Sequence, residues 1–108
     1  MIDGTEYHVL PNENNGSDTL HGGPMGWDWR NFTVLSHTAD SITFSLFDPD
    51  GQQGFPGDVL STITYTLTPY SWHLKMVAQA LTKKTPIMLS SHVSRPTKLT
   101  TFSWLTFL

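Results

Sequence analysis

Apolar and polar side chains alternate along the middle of the chain with a period of two residues. Three runs show the pattern: Ser41–Phe47, Asp58–Thr68 and Trp72–Ala80. In the second run, threonines occupy one parity and apolar residues the other, namely Val59, Ile63, Tyr65 and Leu67. A period of two with β-branched and aromatic residues on one side is typical of half-buried strands. The pattern therefore predicts a sheet with one apolar face.

Turn residues between these runs predict antiparallel pairing. Pro69-Tyr70-Ser71 separates the last two long runs and indicates a hairpin. Asn31–Ser36 is predicted to pair with Ser41–Phe47 through a turn around Asp40, and Pro86–Ser91 is predicted as a further short strand. No segment has a capped apolar stripe of helical period. The expected fold class is all-β and antiparallel.

Two segments are loops by composition, and the end of the chain is unusual. Pro11–Arg30 and Asp48–Gly57 are dense in glycine, asparagine, aspartate and proline. The first of these loops is about 20 residues long, and loops of that length are often functional. Arg95–Leu108 is rich in large apolar residues, which need a partner surface. It is expected to be a final edge strand, or else the chain ends partway through a larger fold or has a replaced carboxyl end. Its apolar residues favour self-association.

Composition limits the possible functions. The chain has 108 residues, enough for one small domain, and 38% of them are hydrophobic. A net charge of −3 argues against nucleic-acid binding, and no apolar run approaches the length of a membrane span. The amino terminus lacks signal-peptide features, so a cytoplasmic location is expected. The absence of cysteine excludes disulfides, a thiol nucleophile and thiolate metal sites.

Acidic and basic residues are segregated along the sequence. All nine acids lie at or before Asp58, where Arg30 is the only base, so the first 58 residues carry 1 − 9 = −8. The remaining residues contain five bases and no acid, and carry +5. A carboxylate needed for catalysis must therefore come from the first half, from another chain or from sequence outside this chain.

Two of the five histidines have neighbourhoods that suit a site. His21 lies next to glycines and near two tryptophans, Trp27 and Trp29. His92 follows the end of a predicted strand. Imidazole titrates near pH 6.5 and suits proton transfer at neutral pH. The other three, His8, His37 and His73, are interpreted as surface or structural residues. No motif has phosphate-loop, calcium-loop or histidine-metal spacing, so no cofactor or metal is expected.

Four segments, taken in order, resemble one known family. Asn12–Gly23 ends in Leu-His-Gly-Gly, Asp48–Asp58 contains Asp-Gly and Gly-Phe-Pro-Gly-Asp, Val59–Thr68 ends in Tyr-Thr-Leu-Thr, and Lys84–His92 contains Thr-Pro and a closing His. These segments are similar to those of aldose 1-epimerases, the galactose mutarotase family, and closest to fungal members. The resemblance covers about Ile2 to Val93. It implies part of an antiparallel β-sandwich over residues 1–93, the galactose mutarotase-like supersandwich, with 94–108 outside the pattern.

The resemblance also implies a chemistry and its residues. The family interconverts α and β anomers of aldohexoses such as glucose or galactose by acid–base ring opening, without a cofactor. His92 matches the general acid and His21 a histidine that contacts the sugar. Ser94 stands where a sugar-contacting tyrosine is expected, and the family's catalytic glutamate lies further along, in a region where this chain has no acid. The general base is thus absent, and the chain is expected to be weak or inactive.

Two other classes of function remain open at this point. A non-catalytic sugar-binding module needs His21 and the tryptophans but no base. A structural or partner-dependent β fragment needs neither. A glycoside hydrolase is disfavoured because that chemistry needs a pair of acids, and four candidates lie in turn-like contexts without forming an evident pair: Asp28, Asp48, Asp50 and Asp58.

Overall fold

A single antiparallel sheet of four strands forms the centre of the molecule. The computed structural model describes residues 1–91. The strands are β1 (Thr33–His37), β2 (Ser41–Asp48), β3 (Val59–Thr68) and β4 (Ser71–Ala80), and each pairs with its neighbour in the chain. Short 3-10 turns occur at Asn14–Gly16, Trp27–Trp29 and Gln52–Gly54, and no α-helix lies in the described part. The all-β antiparallel class is confirmed.

Strand register places the apolar residues of β2, β3 and β4 on one face. Ile42 lies opposite Tyr65, and Tyr65 lies opposite Leu74. Because directly opposed residues point to the same side of a sheet, the alternating apolar positions form a continuous surface. Its buried centre consists of Leu46, Val59 and Met76. The sequence pattern thus determines which face forms the core.

Aromatic rings extend this core toward the hairpin ends. The rings of Tyr65 and Trp72 stack with centroids 5.6 Å apart, and Phe44 meets Tyr65 edge to face at 6.3 Å. Such pairs add stabilisation beyond their buried area. The opposite face carries paired hydroxyls, with Thr43 and Thr64 Oγ1 atoms 3.0 Å apart. The two faces are therefore chemically distinct.

The predicted hairpins are confirmed, and one predicted strand is wrong. β1 pairs with β2 across a turn at Thr38–Asp40, and β3 pairs with β4 across Pro69 and Tyr70. Pro86–Ser91 is not a strand. Among residues 1–91, no backbone–backbone hydrogen bond involves positions 82–91, and a strand requires a ladder partner. The alternation there describes an extended segment without a neighbouring strand.

Charged contacts join the amino-terminal half to the segment after β4. Lys84 Nζ lies 2.8 Å from Asp3 Oδ1, and Lys83 pairs with Asp50. The amide of Asp58 donates to Thr82 Oγ1 at 2.9 Å, next to the same region.

In the described residues, no helix is long and apolar enough to cross a bilayer.

Candidate functional site

The turn that carries His21 is fixed by the side chain of Asn12. Asn12 Oδ1 accepts from the amide of Leu20 at 2.7 Å, and its Nδ2 donates to the carbonyl of Leu20 at 2.9 Å. Both backbone groups of the residue before His21 are therefore satisfied by one amide side chain. Thr19 Oγ1 also donates to the carbonyl of Leu10 at 3.0 Å. The loop is thus closed on itself immediately before the histidine.

His21 adopts a left-handed backbone conformation with its side chain exposed. Its φ is 53°, and Gly22 and Gly23 follow with φ of 84° and 96°. Left-handed backbone costs L-residues energy and favours glycine, so two glycines after the histidine suit this turn. A Cβ on Gly26 would lie 2.0 Å from the carbonyl oxygen of His21. Glycine at 26 therefore allows the chain to pack against the histidine's backbone.

Gln53 attaches this loop to the Asp48–Asp58 segment. Its carbonyl accepts from the amide of Leu10 at 2.9 Å, and its side-chain Oε1 accepts from the amide of Met25 at 2.9 Å. One residue therefore binds both ends of the loop that presents His21. The Leu-His-Gly-Gly and Gly-Phe-Pro-Gly-Asp motifs, separated in sequence, form one contiguous unit.

A close backbone approach reinforces the same attachment. Gly54 has φ of 86°, and a Cβ there would lie 2.0 Å from the carbonyl oxygen of His8. The chain before the His21 loop thus crosses directly over Gly54. Only glycine fits both the conformation and the contact without displacement.

A half-buried cluster connects the other end of the loop to β2. Asp48 accepts from Trp27 Nε1 at 2.8 Å and from Arg30 at 2.5 Å, and Arg30 also donates to the carbonyl of Phe47 at 3.1 Å. The Arg30 and Asp48 side chains are only 20% and 14% exposed. Trp27 is therefore occupied in holding the fold, whereas Trp29, 72% exposed, remains accessible.

Asp50 and Asp58 also have structural partners. Asp50 Oδ1 accepts from the amide of Gly57 at 2.6 Å, and the amide of Asp50 donates to Asp58 Oδ1 at 2.8 Å. The hydrogen bond from Lys83, with that from the Gly57 amide, lowers the pKa of the Asp50 carboxyl below its ordinary value. The same carboxylate raises the pKa of Lys83. These acids organise the loop.

The surface also has an open groove of about 450 Å³. Its walls include Tyr7, Val9, Phe55 and Pro86, and His21 is not among its lining residues. The described residues hold no group of three or more potential metal ligands. The groove and the His21 turn are therefore separate features.

The predicted site residues have different outcomes. His21 is exposed on a fixed turn, and its contact with a sugar stays a prediction. His92 lies outside the described residues, so its approach to His21 stays a prediction. Of the remaining histidines, His8 and His37 are exposed and His73 bonds Ser71 Oγ at 2.8 Å, in agreement with their surface or structural interpretation.

Sequence reasoning missed Asn12 and Gln53 as residues that build the site. Asn12 lies near the start of a long loop, a common place for side-chain-to-backbone bonding, but its partner lies eight residues away. Gln53 lies between Gly51 and Gly54 and itself has φ of 53°. A polar residue between turn glycines was the only signal, and it does not identify a partner 28 residues earlier.

Comparisons with known proteins give the family. A family profile described as Aldose 1-epimerase matches residues 1–94. A probable aldose 1-epimerase of Arthroderma benhamiae is 44% identical, over 86% of this chain and 23% of that protein. The galactose mutarotase of Homo sapiens is 39% identical, over 84% of this chain and 25% of that protein.

A solved structure agrees with the sequence relatives. The GalM/aldose epimerase homologue from C. elegans superposes with a TM-score of 0.68 at 31% identity, covering 76% of this chain and 25% of that one. The chain therefore spans about a quarter or less of the length of the relatives named here. The matched range, the fungal and animal relatives and the shared fold lead to one conclusion: this chain belongs to the aldose 1-epimerase family.

Proposed function

We propose that this chain supplies the sugar-contacting part of a site for interconverting aldose anomers. The observation that carries the proposal is the His21 turn, which Asn12, Gly26 and Gln53 hold with the imidazole exposed. A site residue held by its supporting contacts before the ligand arrives loses little entropy on binding. Relatives named aldose 1-epimerase and galactose mutarotase support the same substrate class.

The reaction needs two proton transfers on one sugar. A general base removes the proton from the anomeric hydroxyl while a general acid protonates the ring oxygen, so the bond between that oxygen and the anomeric carbon breaks. Rotation about the aldehyde carbon and reclosure from the other face give the other anomer. We assign the acid to His92 and hydrogen bonding of the sugar to His21, because imidazole donates or accepts at neutral pH.

The same proposal holds that the 108-residue chain is a weak catalyst. No acid follows Asp58, and the described carboxylates of Asp48 and Asp50 are already bonded to Arg30 and Lys83. General base assistance contributes about 10²- to 10⁴-fold, so its loss removes most of the acceleration. Sugar contact survives this loss, since it depends on His21 and not on the base.

Polarimetry and sugar titration test the two halves of the proposal separately. With freshly dissolved α-galactose or α-glucose, we expect the chain to mutarotate the sugar at a rate close to buffer. Acceleration far above buffer that disappears in His92→Ala would contradict the absence of a base. In an NMR titration we expect galactose to shift the His21 ring signals, and His21→Ala to weaken binding at least several-fold.

A matched control uses a histidine outside the proposed site. His37 is exposed on β1, so His37→Ala should bind sugar as the unmodified chain does. Equal binding by His21→Ala and the unmodified chain would overturn the role of His21. Failure of any aldohexose to bind would overturn the proposed function itself.

A sugar-binding module without catalysis is the second candidate. The exposed ring of Trp29, eight positions from His21, favours it, because flat aromatic faces suit the apolar faces of sugars. Binding that is lost in Trp29→Ala, with no acceleration in any variant, would select this candidate.

A further inference from the structure

The two edge strands of the sheet differ in how well they are protected. Within residues 1–91, no strand pairs with the outer edge of β1 or of β4. β1 has five residues, and its pairing with β2 is interrupted between Val34 and Ser36. β4 has ten residues in unbroken register, no proline, and Lys75 as its only charge. Short length, bulges, prolines and charges normally block edge pairing, so β4 is the less protected of the two edges of the described sheet.

Hydrogen-bond parity shows which residues of β4 present their backbone outward. The amide of Leu81 donates to the carbonyl of Asp58 at 2.8 Å, which continues the β3–β4 register. Since alternate residues bond to opposite sides of a strand, odd-numbered residues of β4 bond to β3. The even-numbered residues therefore point N–H and C=O outward, and their side chains lie on the apolar face: Trp72, Leu74, Met76, Ala78 and Ala80.

We propose that β4 pairs antiparallel with β4 of a second copy of this chain, with Met76 on the two-fold axis. The apolar face continues across such a pair only if even residues oppose even residues. Centring on Met76 places Trp72 opposite Ala80 of the second copy, and Leu74 opposite Ala78. Each large side chain then meets a small one, so the strand is complementary to itself.

This register also keeps like charges apart and forms enough backbone hydrogen bonds for a stable interface. Lys75 lies opposite Val77 of the second copy, so no like charges are directly opposed across the pair. The two Lys75 ammonium groups lie diagonally, on the face away from the apolar surface, where water screens them. Residues 72–80 of both copies form about ten backbone hydrogen bonds, comparable with the roughly ten of a standard protein interface. The expected product is a continuous eight-stranded sheet.

Single cysteines test the register, because the chain has none of its own. In the full chain, Met76→Cys places two thiols opposite each other at a Cα separation of about 5.5 Å, within disulfide range. Leu74→Cys and Ala78→Cys are matched controls, because in this register each thiol lies about 13 Å from its copy. Mild oxidation should give a covalent dimer with Met76→Cys and little with either control.

Other cross-linking patterns overturn the proposal. Preferential cross-linking of Leu74→Cys or Ala78→Cys means a different register. Equal cross-linking of all three variants means non-specific association, for example through the apolar segment after Arg95. A monomer in all three means that the β4 edge does not pair with itself.

Proline substitution tests the edge without depending on the Met76 variant. The amide of Ala78 faces outward, so Ala78→Pro removes a bond to the second copy and none to β3. His37→Pro is the control on the other edge of the sheet. The amide of Thr38 donates to the carbonyl of Ser41 across the β1–β2 hairpin. Since alternate residues of a strand bond to opposite sides, the amide of His37 faces outward, away from β2. In analytical ultracentrifugation, the unmodified chain and His37→Pro should dimerise with rising concentration while Ala78→Pro stays monomeric with an unchanged circular dichroism spectrum. Dimerisation of a folded Ala78→Pro overturns the proposal.

Discussion

At the scale of single residues, the ion pair of Asp48 and Arg30 shows how burial determines how much such a pair contributes to stability. Its carboxylate serves both Arg30 and Trp27, and the pair is largely removed from water. The exposed pair of Lys84 and Asp3, with side chains 75% and 65% exposed, has similar contact geometry and little burial. The two pairs therefore allow a direct comparison within one chain.

We expect Asp48→Ala to lower the free energy of unfolding by about 3 kcal/mol, because it leaves a half-buried guanidinium and an indole N–H without an acceptor. Asp3→Ala should change it by less than about 1 kcal/mol. Urea unfolding followed by tryptophan fluorescence measures both. Equal losses in the two variants would show that burial of the Arg30–Asp48 pair has no energetic consequence.

At the scale of elements, two glycines of the Asp48–Asp58 loop allow the cost of backbone strain to be separated from the cost of a steric clash. Gly51 and Gly54 have nearly equal φ of 85° and 86°. A Cβ on Gly51 meets nothing within 4 Å, whereas one on Gly54 meets the carbonyl of His8. Alanine at either position is strained to a similar degree, but only alanine at 54 also clashes.

Gly51→Ala should therefore cost about 1 kcal/mol in stability from backbone strain alone. Gly54→Ala should cost about 2 kcal/mol more and displace the chain before the His21 loop, since overpacking moves the backbone. Thermal unfolding gives the two costs, and amide chemical shifts of Val9 and Leu10 report the displacement. Identical shifts for the two variants would contradict the contact between Gly54 and His8.

The strands of the sheet were predictable because their signal is local. Alternation over Asp58–Thr68 and the two neighbouring runs depends only on which face is buried, and the structure places them as β2, β3 and β4. Pro86–Ser91 carried a similar signal and failed, because pairing requires a neighbour that alternation does not reveal. The side chains of Asn12, Gln53 and Arg30 bond to partners 8 to 28 residues away, and no local pattern encodes such partners.

The segregation of charge along the chain has a consequence for the molecule as a whole. Lys83 and Lys84 come from the basic half and bind Asp50 and Asp3 of the acidic half. The depressed pKa of Asp50 means that the folded state binds its proton less readily than the unfolded state. This carboxylate therefore stabilises the fold above its ordinary pKa of 3.8 and loses that effect as the pH falls below it.

We expect Asp50→Asn to be less stable than the unmodified chain near neutral pH, and the difference to shrink as the pH falls below 3.8. Melting temperatures between about pH 6 and pH 2.5 test this. In a Lys83→Met background, the effect of Asp50→Asn should be smaller, because the main cause of the pKa shift has been removed. A difference that stays constant with pH would show that Asp50 does not take part in acid unfolding.

The meander order of the strands separates assembly of the sheet from assembly of the His21 turn. Each strand joins the next through a short connection, so the entropy lost in closing each hairpin is small. The turn is completed only when Met25 reaches Gln53, 28 residues away, on a loop that the finished β2 and β3 hold in place. Closure of the longer loop costs more entropy and yields only a few hydrogen bonds. The His21 turn can therefore open locally while the sheet stays intact, so its amides should exchange with solvent faster than those of β2 and β3.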